Sequence, residues 1–244
     1  MKLSGYLVTS DHHQIHYDQC KAGHKKVIII AHGFFNSKQA ILLKRLGESL
    51  NNEYDCLLFD FRGHGQSKGF FYWTAKEYLD LLSIVEFAGR SYERIGLIGF
   101  SLGAATGIIA ASKTSLINSI ISISAPVEFA KIDYRFWELN VKNDIFYNLF
   151  GEGRKGKGVR PGPFWFKKER PRDIVKKTKT PIFYIHGDSD WIIRYWHSEE
   201  LYKNTTAFKR LSIIKNGPHA EYLFLEHRDE MLRLIREWFH ETLK

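Results

Sequence analysis

With only two cysteines in 244 residues, Cys20 and Cys56, the chain cannot be held by a disulfide framework. One bridge between them is open to it, but Cys56 lies in an apolar, strand-like run and reads as a small core residue. Neither cysteine sits in a C-x-x-C or mixed Cys/His spacing, so no metal is expected, and no cofactor. No apolar stretch follows Lys2, which argues against a signal peptide. No window approaches the length of a membrane span, so stable membrane insertion is not expected. These absences together point to a reduced, cytoplasmic protein. No internal repeat is present. No nucleic-acid motif accompanies the formal charge of +9, much of which comes from residues 154–160 and 167–179, so nucleic acid is not an expected partner. A homo-oligomer is compatible with the sequence, which does not address it further.

What is present is an ordinary globular composition, 44% hydrophobic and 26% charged, long enough to bury a large core without a staple. Short runs of β-branched and apolar residues recur at 27–31, 56–59, 95–98, 120–123, 182–185 and 210–214. Apolar throughout rather than alternating, they read as strands buried on both faces of a parallel sheet. Residues 5–17 alternate and suggest an antiparallel hairpin at one edge. Helical periodicity falls between the strands at 37–51, at 74–88, where Thr74 and Glu77 have the spacing of a capping box, and at 221–243. Strand and helix alternate, which defines an α/β class with a mostly parallel sheet.

Residues 128–179 break the alternation. They carry Phe136, Trp137, Phe146, Tyr147 and Phe150, then glycines among basic residues, then Phe164-Trp165-Phe166. The stretch reads as an insertion, part helix and part loop, in a core of residues 1–127 and 180–244. Its aromatics, with Phe136, Trp137 and Trp165 foremost, suit the apolar wall of a pocket closed by a cap.

Gly99-Phe100-Ser101-Leu102-Gly103 fits the nucleophile elbow G-x-S-x-G, in which a sharp strand-to-helix turn leaves no room for side chains at the flanking glycines. The pattern alone arises by chance in about one chain in ten of this length. A second match, Gly65-Gln66-Ser67-Lys68-Gly69, is indeed present. Ser101 follows a strand and precedes the small-residue run Ala104-Ala105-Thr106-Gly107; Ser67 has neither neighbour and reads as a turn residue. Among 11 histidines, His219 alone lies in a loop just after a strand and downstream of a candidate acid. His12, His13, His16 and His24 read as surface residues of the hairpin, and His32 and His64 as residues that hold loops. Asp188 and Asp190 both follow the 182–185 strand, and either is a candidate partner for His219.

These segments, in this order, resemble the α/β-hydrolase family over nearly the whole chain. His32-Gly33-Phe34-Phe35 is similar to its H-G segment, and Asp60-Phe61-Arg62-Gly63-His64-Gly65-Gln66-Ser67 to its D-x-R-G-x-G-x-S loop. His186-Gly187-Asp188-Ser189-Asp190-Trp191-Ile192-Ile193 is similar to its acid-bearing H-G-x-x-D segment, and Asn216-Gly217-Pro218-His219 to its histidine loop. The resemblance implies a mostly parallel central sheet of about eight strands flanked by helices, with a small cap at 128–179. It implies Ser101 as nucleophile, His219 as base, Asp190 rather than Asp188 as acid, and an oxyanion hole of the Phe34 and Leu102 amides. A serine at the elbow argues against epoxide hydrolase or dehalogenase chemistry. The short cap and the H-G-F segment look most like intracellular carboxylesterases, feruloyl-esterase-like or monoacylglycerol-lipase-like, acting on a small-molecule ester. An acyl-CoA thioesterase and a serine peptidase of the same fold are the alternatives. From other classes come a catalytically silent scaffold and a membrane-surface protein, the former disfavoured by the complete triad.

Overall fold

The computed structural model describes residues 1–133 and 157–244. Eight strands form one sheet in the order β1-β2-β4-β3-β5-β6-β7-β8. They are β1 (Lys2–Val8), β2 (Gln14–Cys20), β3 (Lys26–Ala31), β4 (Asp55–Phe59), β5 (Arg94–Phe100), β6 (Ser119–Ile123), β7 (Ile182–Gly187) and β8 (Lys209–Ile214). β1 and β2 form the expected antiparallel edge hairpin, and β2 also pairs antiparallel with β4. Every pairing from β4 to β8 is parallel. The apolar runs occupy the centre, where both faces are covered; β8, at the edge, is only half-buried.

Strand side chains alternate between two cores, and the parity of each run decides which helix it meets. Ile29, Leu57 and Leu97 face α2 (Glu77–Gly89), α3 (Leu102–Ala111) and α5 (Trp196–Asn204). Ile28, Leu58, Ile98 and Phe183 face α1 (Ile41–Leu50), α6 (Glu221–Glu226) and α7 (Arg228–Thr242). Cys56 lies in the second core with its thiol free, as does the half-buried Cys20 directly opposite it across β2 and β4. No helix among the described residues is long and apolar enough to cross a membrane.

Several local expectations are corrected. The capping box at Thr74 does not form: Trp73 and Thr74 both take left-handed φ, and α2 begins at Glu77. Glu77 instead turns back to accept the Tyr72 amide at 2.6 Å. The final helix is two, broken at His227 (φ −123, ψ 41). Helix α5 was not anticipated; its sequence, WHSEELYKN, has a weak apolar stripe. His16 is buried rather than on the surface, because β2 lies inside the sheet, between β1 and β4. In the insertion, the described residues hold a 3-10 turn (Phe129–Lys131), α4 (Pro171–Ile174) and a second 3-10 turn (Val175–Lys177). Phe136 and Trp137, with Phe146, Tyr147 and Phe150, lie outside the described residues.

Candidate active site

Three strand ends converge at the carboxyl edge of the sheet, the side on which open α/β sheets place their ligands. At the first, β5 turns sharply into α3 through Ser101, whose φ of 52° and ψ of −108° are strained for a residue with a Cβ. The flanking glycines are required by contact. A Cβ on Gly99 would lie 2.5 Å from the Ala104 Cα, and one on Gly103 would lie 2.3 Å from the Ala31 carbonyl oxygen. Ser101 is held from below, its amide donating to the Ile123 carbonyl at 2.8 Å. Ser67 has none of this setting. It is buried, accepts the His16 amide at 2.8 Å and donates to the Asp60 carbonyl at 2.6 Å, which makes it a clasp between β2 and the loop after β4.

The second strand end carries the acids. Asp190 Oδ1 accepts the Ile192 and Ile193 amides at 2.9 and 2.8 Å, and Oδ2 accepts from His219 Nδ1 at 2.6 Å. Burial by itself would raise the Asp190 carboxyl; the two imidazoles of His219 and His186, both bonded to it, outweigh that and hold it well below the usual carboxylate range. A carboxylate only accepts, so Nδ1 of His219 carries the proton and Nε2 of the neutral ring is left with its lone pair. Asp188 points elsewhere: its Oδ1 accepts the Asn216 amide at 2.6 Å and stitches the two loops.

The third strand end is the His219 loop, packed on the acid loop through two glycines. A Cβ on Gly187 would stand 1.9 Å from the Gly217 carbonyl oxygen, so no larger residue lets the loops approach as they do. The Ser124 hydroxyl, at the end of β6, accepts the Ala220 amide at 3.1 Å and fixes the next residue along.

A fourth element, the loop after β3, comes up beside Ser101. A Cβ on Gly33 would lie 3.5 Å from that of Ser101. His32 braces this loop, its Nδ1 donating to the Gly33 carbonyl at 2.7 Å while Nε2 accepts the Phe61 amide at 3.0 Å. Burial pushes His32 down to about 4 and His64 down to about 3, so both rings are neutral struts. Among the described residues neither the Phe34 nor the Leu102 amide makes a hydrogen bond; Leu102 is the first residue of α3, where backbone N–H groups have no intrahelical partner.

Ser101, Leu102, Phe34 and His219 line one cavity of about 410 Å³. Its walls are aromatic and aliphatic: Phe35, Phe71, Trp73, Trp191, Ile192, Ile193 and Tyr222 from the core, with Phe129 and Ile132 from the insertion. Phe34 is not a core aromatic: it is 44% exposed and stacks on Trp73 at 5.8 Å between centroids. Two charges face the same space, Lys157 and Glu221, paired at 3.4 Å. Trp165, expected on this wall, does not reach it. It stands 72% exposed against Phe164 and Phe166, because the chain beyond the Phe71–Pro161 bridge runs over the outside of the 70–76 loop, where Phe166 meets Tyr72. Sequence reasoning missed Phe71, Trp73 and the Trp191-Ile192-Ile193 turn as pocket residues, although the turn lies within a segment quoted for its resemblance and the two aromatics follow another after a short loop. Among the described residues no group of three His, Cys, Asp or Glu stands ready to hold a metal ion.

The family model of the alpha/beta hydrolase fold matches residues 26–147. The chain belongs to the α/β-hydrolase fold family. Among relatives of this hydrolase-fold chain, the uncharacterized protein YqkD of Bacillus subtilis is 27% identical over 231 residues, covering 86% of this chain and 70% of that one. The serine hydrolase BPHL of Homo sapiens is 23% identical over 252 residues, covering 92% and 82%. The esterase Pf2001 of Pyrococcus furiosus superposes with a TM-score of 0.78 at 23% identity, over 100% of this chain and 94% of the other. The likeness to that esterase is one of fold.

Proposed function

We propose that this α/β hydrolase cleaves carboxylic esters of small molecules through a covalent acyl-enzyme intermediate. Ser101 attacks the ester carbonyl while His219 Nε2 takes its proton, since a serine hydroxyl is a weak nucleophile without a base. Asp190 keeps His219 in the tautomer that leaves Nε2 unprotonated and stabilises the imidazolium formed in the step. The developing oxyanion is received by the Phe34 and Leu102 amides. His219 then returns the proton to the leaving alcohol, and a water activated by the same nitrogen releases the acid. No step calls on a cofactor.

The observation that carries the reading is the 2.6 Å bond between Asp190 and His219 beside a serine in elbow conformation on the wall of the same cavity. The apolar walls favour an uncharged acyl or alcohol group over a peptide or a coenzyme A phosphate. Phe129 and Ile132 on the cavity wall support residues 128–179 as a cap over Ser101. That BPHL is named a serine hydrolase and Pf2001 an esterase accords with this chemistry.

A panel of p-nitrophenyl esters of rising acyl length tests the reading, together with a fluorophosphonate label and peptide mapping. Ester turnover with the label on Ser101 is the expected result. Absence of both, or a label on Ser67, overturns it.

A further inference from the structure

The segment that bears the acid begins with a second imidazole, and the hydrolytic steps leave it without work. His186 lies in β7, fully buried, four residues before Asp190. Its Nε2 stands 2.7 Å from the Ile193 carbonyl oxygen and 3.1 Å from Asp190 Oδ2, while Nδ1 stands 2.6 Å from the Ser198 hydroxyl in α5. A carbonyl and a carboxylate only accept, so Nε2 must carry the proton. In a neutral ring Nδ1 is then an acceptor, and Ser198 is the donor that fills it. One protonation state thus satisfies every contact of a side chain that water does not reach.

The consequences meet at Asp190. Its Oδ2 receives two imidazole N–H groups, one from His219 and one from His186. Its Oδ1 receives the Ile192 and Ile193 amides, and Ile193 is itself tied down through its carbonyl by the same His186. His186 therefore touches the carboxylate directly and also anchors the turn that grips its other oxygen. A carboxylate held by four donors, two on each oxygen, resists rotation, and the lone pair offered to His219 keeps one direction. We infer that His186 is a positioning residue for hydrolysis: held by Ser198, it fixes the Asp190 carboxylate and through it the tautomer and orientation of His219. The inference rests on the triad reading above and extends it by two residues, His186 and Ser198.

Packing alone would also account for a buried histidine, and the test must separate the two. The informative pair is His186→Phe and His186→Gln. Phenylalanine fills the space and removes the Nε2 donor together with the Nδ1 acceptor. The Nε2 of glutamine lies as many bonds from the backbone as the imidazole Nε2, so it restores the donor to Asp190 and Ile193. With the best p-nitrophenyl ester, His186→Phe is expected to lose roughly ten- to hundredfold in kcat at unchanged KM, the scale on which outer hydrogen-bond partners of functional groups act. His186→Gln is expected to stay within about threefold of wild type. Should the Phe variant not fold, His186→Asn takes its place, polar but one bond too short to reach Asp190. An NMR spectrum of the His219 Nδ1–H proton, which needs no substrate, is expected to show its hydrogen-bonded downfield resonance weakened or lost in the Phe or Asn variant and kept in the Gln variant. If the folded variants lacking the donor keep wild-type kcat, if Gln and Phe lose it equally, if KM moves in place of kcat, or if the His219 Nδ1–H resonance is unchanged in the Phe or Asn variant, the inference is overturned. If wild type turns over no ester, the hydrolase reading fails, while the NMR arm still decides whether His186 positions the Asp190–His219 pair.

Discussion

Replacing Asp190 by asparagine changes one oxygen into an NH₂ group, and the surroundings dictate which one. The Ile192 and Ile193 amides point at Oδ1 from 2.9 and 2.8 Å and accept no alternative to an oxygen there. The asparagine carbonyl must take that place, which turns the NH₂ toward His219 Nδ1 and His186 Nε2, now 2.6 and 3.1 Å from Oδ2. A donor facing Nδ1 forces the His219 proton onto Nε2, the nitrogen that should receive the proton of Ser101. It also sets two N–H groups against each other at His186. The imidazolium formed during attack loses its counter-charge as well. A wrong tautomer of this kind costs about 10⁴-fold in kcat, equivalent to about 5 kcal/mol of transition-state stabilisation. Steady-state kinetics on p-nitrophenyl esters measures it, with circular dichroism to show that the variant is folded. Asp188→Asn is the control: among the described residues its Oδ1 serves only the Asn216 amide and the Ser189 hydroxyl, so kcat is expected to fall by less than about tenfold. A folded Asp190→Asn that keeps about a tenth of wild-type kcat, or an Asp188→Asn that loses more than it does, refutes the reasoning.

Three further expectations follow from particular contacts. Ser101→Ala should abolish ester hydrolysis and fluorophosphonate labelling, whereas Ser67→Ala should keep turnover and lose about 1–3 kcal/mol in urea unfolding, because it strips the His16 amide and Asp60 carbonyl of a buried partner. Gly103→Ala should lower the melting temperature and silence the enzyme together, since its Cβ would meet backbone atoms of Ala31 and His32 at 2.3 and 2.6 Å and only a shift of α3 relieves them; a stable, active Ala variant would contradict the geometry. Burial and the neighbouring Asp80 push Glu77 from the ordinary 4.5 up to about 7, so the folded state holds this proton more tightly than the unfolded chain does. Its contribution is therefore full below pH 4.5 and is lost as pH rises through about 7. Glu77→Gln, which can still accept the Tyr72 amide, should be more stable than wild type at pH 8 by up to about 3 kcal/mol and equal to it near pH 4, read by urea unfolding at both; a pH-independent difference would count against this sign.

The parallel sheet was legible because its strands advertise themselves. Runs such as Val27-Ile28-Ile29-Ile30-Ala31 are apolar on both faces, and only a strand covered on both sides buries them. The elbow was legible because steric exclusion at Gly99 and Gly103 leaves a mark on sequence, and the flanking strand and small-residue helix separate Ser101 from Ser67. The choice of Asp190 over Asp188 came from a resemblance in spacing; in the folded chain the Asp190 carboxylate meets His219 and that of Asp188 the Asn216 amide. Other features left no such mark. Thr74 and Glu77 have capping spacing, yet two left-handed residues move the start of α2, and nothing local announces them. Trp165 is as aromatic as Trp73, but one faces outward and the other the cavity, because the course of the chain rather than residue type decides which ring lines it. The role of His186 depends on Ile193 and Ser198 arriving at its two nitrogens from a turn and a helix that follow it. Sequence determined the strands, the elbow and the order of the candidate site segments, because those obey local periodicity and local sterics. The pocket wall and the hydrogen bonds behind the acid were decided only in the folded chain, where segments distant in sequence are brought within bonding distance.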